Sequence, residues 1–276
     1  MTGPASLTPQ QAAATLAWLV DAGADALIAD RPGNWLQAPA PSLSPRPEKP
    51  APGERPAPQD QPPPLPLQGG SPAPQNAPAA PLSARTLDEL ATEARGFASS
   101  LNAPNSAFVF ADGNPRSKVM IVGEAPGQQE EREGKPFVGP AGQLLDRMLA
   151  AIGLDRTDEE NGVYITNLSP WRPPRNRTPS PQEAAECLPL LHRHIAIHRP
   201  RLILCVGGTS AKALLATDAG IMRLRGRWAD VEIEGERYRV MPTFHPAYLL
   251  RQPEQKRLAW IDLLAFQSAL RSLDQR

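Results

Sequence analysis

The chain has 276 residues, 29 Lys and Arg against 29 Asp and Glu, and 41% hydrophobic residues. Zero net charge excludes a global field that would draw it to nucleic acid or anionic lipid, so any polyanion site has to come from local clustering. No apolar run approaches the ~18 residues of a membrane span, Met1-Thr2-Gly3-Pro4 lacks the basic start of a signal peptide, and two cysteines, Cys187 and Cys205, are too few for a disulfide framework. A reducing, cytoplasmic setting without membrane attachment is expected.

Thr8-Pro9-Gln10-Gln11 combines a capping residue, a proline at the first helical position and a glutamine three residues after the cap. Leu16, Leu19, Val20 and Leu27 recur near helical spacing, so residues 1–30 are read as a short helical segment. Half of the 34 prolines fall between Pro32 and Pro81. That composition cannot offset the entropy of ordering, and residues 31–85 are read as a disordered or extended linker. Gln61-Pro62-Pro63-Pro64-Leu65-Pro66 could serve as a proline-recognition ligand, although a spacer is the stronger reading. The N-terminal helix and this linker are candidate docking elements for a protein partner.

Residues 86–276 form the expected folded domain. Thr86-Leu87-Asp88-Glu89 opens a helix to about Phe97. Lys118–Val122 is an apolar, partly β-branched run read as a buried strand. It feeds an irregular Gly123–Glu131 loop, because two glycines and a proline break the sheet pattern. Leu144, Leu145, Met148, Leu149 and Ile152 then make a helical stripe ended by Gly153.

Further strands are expected at 163–167, 202–206 and 239–242. Helices are expected after Ser180-Pro181-Gln182-Glu183, after Gly207-Gly208-Thr209-Ser210 and from Pro253, the last burying Leu258, Ile261 and Leu264. Alternating strands and helices predict a three-layer α/β/α sandwich around a small, mostly parallel four-stranded sheet.

In such a sheet ligands bind beyond the carboxyl ends of the strands. Three loops converge there: Gly123–Glu131 with Phe137, Asn167–Arg177, and Phe244–Arg251. A planar aromatic, an amide able to make two hydrogen bonds and a histidine donor suit a flat, amide-bearing ring such as a nucleobase. Arg172, Arg175, Arg177 and Arg251 lie close by in sequence and could meet phosphates.

The ordered segments GEAPG, KPFVGPAG, YITN followed by RPPRNRTP, and HPAYLLR resemble the signature set of the uracil-DNA glycosylase superfamily. They most resemble its family 4 branch, whose members carry an iron–sulphur cluster. The resemblance implies that Phe137 stacks on an extruded uracil, that Asn167 reads O4 and N3–H, and that His245 donates to O2 as the glycosidic bond breaks. Glu124 would shape the loop around the sugar and its water, with Glu130 a second carboxylate for orienting that water. Ala125 and Gly127, with Gly123, would act through backbone amides and close approach. Leu249, Leu250 and Arg251 would form a wedge filling the gap left by the base. Plain readings stand beside these: Asn167 as a strand-end turn residue, His245 as a core histidine, and the last three as helix-entry packing.

The pattern breaks in two places. The family cluster needs four cysteines, and only Cys187 stands at a matching position; Trp171 occupies the loop position, and Phe97, Ala98 and Ser99 lie where the upstream pair would be. One ligand cannot hold a cubane, so no 4Fe-4S cluster and no other metal or cofactor is expected. Trp171 and neighbouring apolar groups would pack the space, and Cys205 reads as a core residue. In a related branch that traps uracil-DNA covalently, a nucleophilic histidine precedes the threonine-proline pair by two positions; here Asn176 stands there, and an amide is no nucleophile.

The expected function is therefore monomeric, hydrolytic removal of uracil from DNA, with other deaminated bases open. The rivals are a non-catalytic damaged-DNA-binding homologue and a nucleotide-binding α/β protein. The second lacks both a Gly-x-Gly-x-x-Gly fingerprint and a phosphate-binding loop.

Overall fold

The computed structural model describes residues 82–104 and 106–274. The expected N-terminal helical segment and nearly all of the proline-rich linker lie outside them. A capping box at Thr86 and Glu89 starts α1 (Leu87–Ala94), which ends one turn short of Phe97. The order continues β1 (Ala111–Gly113), β2 (Val119–Gly123), α2 (Gln128–Glu133), α3 (Pro140–Ala151), β3 (Tyr164–Asn167) and a 3-10 turn at Pro174–Asn176. Then come α4 (Pro181–His198), β4 (Leu202–Val206), α5 (Gly208–Leu214), α6 (Ile221–Leu224), β5 (Ala229–Ile233) and β6 (Glu236–Thr243). Helix α7 (Pro246–Arg251), a 3-10 turn (Pro253–Gln255) and α8 (Lys256–Asp274) close the fold.

The sheet has six strands in the order β1-β3-β2-β4-β6-β5, not the four expected. The central four are parallel, and the two extra strands run antiparallel at the edges. Neither is among the expected strands, and only β1 for want of a local signal. Ala111-Asp112-Gly113 carries no β-branched or aromatic residue. β5 does carry a signal that the expectation omits: alternation over Ala229–Ile233, then a two-residue turn to β6 at Glu234 and Gly235, both at positive φ.

Side chains of β2 and β4 alternate between two apolar layers. Val119, Ile121, Leu202 and Leu204 pack against α3, α7 and α8. Met120, Val122, Ile203 and Cys205 pack against α4, α5 and α6. Burial on both faces is what a parallel sheet requires, and the α/β/α sandwich is as expected. Cys205 is a fully buried core residue, as read from sequence.

Helix α8 departs from expectation. Ile261 and Leu264 are exposed and Leu258 is only partly buried; Lys256 and Gln267 are buried near its edges, and the core face is Ala259, Asp262, Leu263 and Phe266. Those four follow the i, i+3, i+4, i+7 pattern of a core face. An aspartate in that face hides it from an apolar-stripe reading.

Candidate functional site at the carboxyl edge of the sheet

The parallel register brings Gly123 of β2 opposite Asn167 of β3, and Val206 of β4 opposite Thr243 of β6. All four strands therefore release their chains at one edge. There the loops enclose a cleft of about 450 Å³, lined by Glu124, Ala125, Gly127, Glu130, Phe137, Asn167, Arg177, His245 and Arg251, among others.

Asn167 forms part of the cleft wall and is 5% exposed. Its Oδ1 is fully buried with no hydrogen-bond partner in the protein. An unpaired buried acceptor costs about 1–3 kcal/mol, so this site carries a standing demand for a donor.

Phe137 adopts φ +55, a left-handed backbone uncommon for an aromatic residue. Several features hold it there. A Cβ on Gly142 would fall 1.8 Å from the Phe137 carbonyl oxygen, so only glycine fits beneath it. Arg156 donates to that oxygen through Nη2 at 2.9 Å and to the Pro136 carbonyl through Nη1 at 3.2 Å. The ring sits beside His245, with centroids 5.6 Å apart.

His245 is the N-cap of α7, and its Nδ1 accepts the Ala247 N–H at 3.1 Å. A neutral ring that accepts at Nδ1 carries its proton on Nε2. Burial pushes the His245 pKa down, against an upward pull from Glu124 and Glu130, which favours this neutral form.

The two carboxylates are engaged by backbone. Glu124 Oε1 accepts the Thr209 N–H at 3.0 Å near the start of α5. Gly207 at φ +125 makes room for it, since a Cβ there would lie 2.5 Å from that oxygen. Glu130 accepts from Gly127 at 3.1 Å, Val138 at 3.1 Å and Gly139 at 2.9 Å. Three amide partners make Glu130 a staple between two cleft loops.

The arginines separate. Arg172 pairs with Glu131 at 2.7 Å and bonds Asn176, tying the 172–177 loop to α2. Arg175 is exposed at φ +59 in the 3-10 turn. Arg177 reaches the cleft but is held by Glu183 through two bonds of 2.6 Å, a pairing that, with the Ser180 backbone bond, lowers the Glu183 carboxyl to about 2. Arg251 lies at the cleft and is exposed.

The expected three-residue wedge needs correction. Leu249 is fully buried in the core, because a helix turning off the sheet must bury one side, whereas Leu250 is 42% exposed. Gly207, Ile221 and Tyr248 also line the cleft without having been singled out in sequence. Gly207 was findable, since it follows β4 at the same sheet edge as the other loops. Arg156 gave no local signal.

Residues 110–264 match the profile of the Uracil DNA glycosylase superfamily. The chain belongs to the uracil-DNA glycosylase superfamily. It is 39% identical over 158 residues to a type-4 uracil-DNA glycosylase of Archaeoglobus fulgidus, spanning 56% of this chain and 77% of that one. It is 44% identical to the type-4 uracil-DNA glycosylase of Pyrobaculum aerophilum over 51% of this chain and 72% of the relative. The type-4 enzyme of Thermotoga maritima is 41% identical over 52% and 71%.

A uracil-DNA glycosylase of the iron–sulphur branch would hold its cluster near Cys187, and the residues present there do not fit one. Cys187 is buried among Leu90, Ala94, Phe97, Leu101, Trp171 and Leu190, and its Sγ lies 3.6 Å from Ser99 Oγ. Burial pushes its thiol pKa up, as for an inert core cysteine. Among the described residues no group of three or more His, Cys, Asp or Glu side chains is arranged to hold a metal.

Proposed function

We propose that this chain is a monofunctional DNA glycosylase that hydrolyses the N-glycosidic bond of uracil in DNA, leaves an abasic site and so opens base-excision repair. The observation that carries the reading is the unpartnered Oδ1 of Asn167 beside Phe137 and His245. Uracil N3–H would donate to that oxygen while O4 accepts from the amide nitrogen. Cytosine presents the reverse pattern and would leave both partners unpaired, a mismatch that discriminates strongly in a buried site.

In this mechanism Phe137 stacks on the extruded base. As the bond from C1′ to N1 breaks, its electron pair stays with the base and charge gathers on O2, where the Nε2–H of His245 donates. One such donor lowers the barrier by about 3–4 kcal/mol. Water adds to C1′ and releases a proton to solvent. The Glu124 carboxylate supports the cationic sugar by its field, and Glu130 acts through the loops it joins. Ala125 and Gly127 let the backbone approach the sugar. Asn176 cannot attack C1′, so the product is released and no adduct forms.

Arg251, Arg175 and Arg177 meet phosphates, with Arg172 ordering their loop, and Leu250 enters the base stack. The enzyme acts as a monomer without an iron–sulphur cluster, in the cytoplasm, on uracil-containing DNA. No helix among the described residues is long and apolar enough to cross a membrane.

End-labelled oligonucleotides carrying one uracil test this directly. Alkali-labile breaks with the wild type, strongly reduced in His245→Ala and Asn167→Ala, are expected. Binding without any break would replace the reading with that of a damaged-DNA-binding homologue. Metal analysis and the visible spectrum of the anaerobically purified protein decide the cluster, since stoichiometric iron would overturn its proposed absence. Light scattering of the same preparation reports the oligomeric state.

A further inference from the structure

Beneath the cleft, β6 ends at Thr243, two residues ahead of His245. We infer that Thr243, Asp262 and Arg225 form a positioning unit that fixes the place of the His245 ring against the Ala247 N–H, the donor that sets its tautomer. The inference deepens the proposed excision reaction and rests on His245 having its role there.

Asp262 is 1% exposed, on the core face of α8. Its Oδ2 accepts from Thr243 Oγ1 at 2.7 Å and from Arg225 Nε at 3.1 Å, and its Oδ1 accepts from Arg225 Nη2 at 2.5 Å. The same Nη2 reaches the Leu258 carbonyl. The Arg225 guanidinium also lies over the Phe244 ring, 5.3 Å from its centroid. Thr243 is held from a second side, because its carbonyl accepts the Gly207 N–H at 3.1 Å. Ala247 then fixes His245 from behind. The segment 243–245 is thus gripped at each residue by a directional or ring contact.

Gly226 shows how closely this unit is fitted. It sits at φ +68, and a Cβ there would stand 2.4 Å from Asp262 Oδ1. Its N–H donates to the Pro242 carbonyl at 2.9 Å, adding a tie to the end of β6. A buried Arg–Asp pair is weak evidence for stability, since apolar residues of similar volume often serve as well. What a hydroxyl–carboxylate–guanidinium chain supplies that leucines cannot is fixed direction at the strand end.

Thr243→Val keeps the shape, removes one hydrogen bond and leaves Asp262 paired with Arg225. Single-turnover excision of uracil by Thr243→Val is expected to slow about tenfold or more, as small misplacements of a reacting group do. Affinity for the same DNA should hold, and Thr243→Ser should restore most of the rate. Arg225→Lys keeps the charge but loses the fork, and should slow excision in the same way.

Ring nitrogen shifts of His245, assigned by comparison with His245→Gln, give a readout independent of turnover. The wild type should show the Nε2–H tautomer and Thr243→Val a mixture. Wild-type rate together with unchanged ring shifts in folded Thr243→Val would overturn the inference. If the wild type leaves uracil-DNA intact, the excision reading fails by itself, and the ring shifts still decide the positioning claim.

Discussion

A Cβ added to Gly123 would stand 2.3 Å from Oδ1 of Asn167 and 2.5 Å from Cε2 of Phe137. The last residue of β2 is therefore the floor against which the Asn167 amide and the Phe137 ring are both set. Gly123→Ala should fold, since the backbone there is ordinary for an L-residue, with an overpacking cost of about 1–3 kcal/mol. Uracil excision should fall about a hundredfold, because a shift near 1 Å at a reacting group has that scale. Thermal unfolding beside single-turnover kinetics checks both halves.

His245 gives a pH signature. Its pKa is pushed below the ordinary histidine value of about 6.5, chiefly by burial. Excision should hold level through neutral pH and decline only at pH below ~6.5, as protonation removes the Nδ1 acceptor and the cap on α7. The single-turnover pH–rate profile reads this. An acidic limb centred above the ordinary value would contradict the neutral-donor assignment.

Two further histidines on α4 bear on stability. His194 and His198 are held neutral by burial, at about 3 and about 4. The Tyr164 hydroxyl meets His194 Nε2 at 2.9 Å, while the His198 ring stacks on Tyr164 and both its nitrogens are buried without partners. The unfolded chain binds these protons near pH ~6.5 and the folded chain does not, so stability falls as pH drops from there towards 4. His198→Phe keeps the stack and removes one titration. It should flatten the dependence of melting temperature on pH over that range.

Leu249 and Leu250 should separate cleanly. Leu249→Ala removes a fully buried side chain and should cost about 2–5 kcal/mol by denaturant unfolding. Leu250→Ala should change stability by less than ~0.5 kcal/mol. On double-stranded DNA it should slow excision more than on single strands, where no gap in a stack needs filling.

Trp171 is 1% exposed and packs beside Cys187 and Phe108. Trp171→Ala should destabilise the domain by about 3–5 kcal/mol and loosen the 172–177 loop next to it. Salt titration of DNA binding would register the loosening as weaker affinity with a shallower slope.

The four parallel strands, the two capping boxes at Thr86 and Ser180 and the convergence of Phe137, Asn167 and His245 were legible in the chain. Each rests on local physics: β-branched runs, a cap three residues from its glutamate, and chemistry placed just after a strand. β5 also carried an alternating pattern and a Gly turn, which the expected strands leave out. The strand β1 was not legible, because a three-residue edge pairing is set by what lies alongside it. Nor was the true face of α8, whose Asp262 is tolerated in the core only because Arg225 and Thr243 arrive from distant segments. The sequence alone determined which chemical groups stand at the strand ends and in which order. Tertiary structure decided what each is free to do, assigning Glu130 to backbone amides, Arg172 to Glu131 and Leu249 to the core. Hydrogen-bond saturation and burial depend on neighbours that lie far apart along the chain.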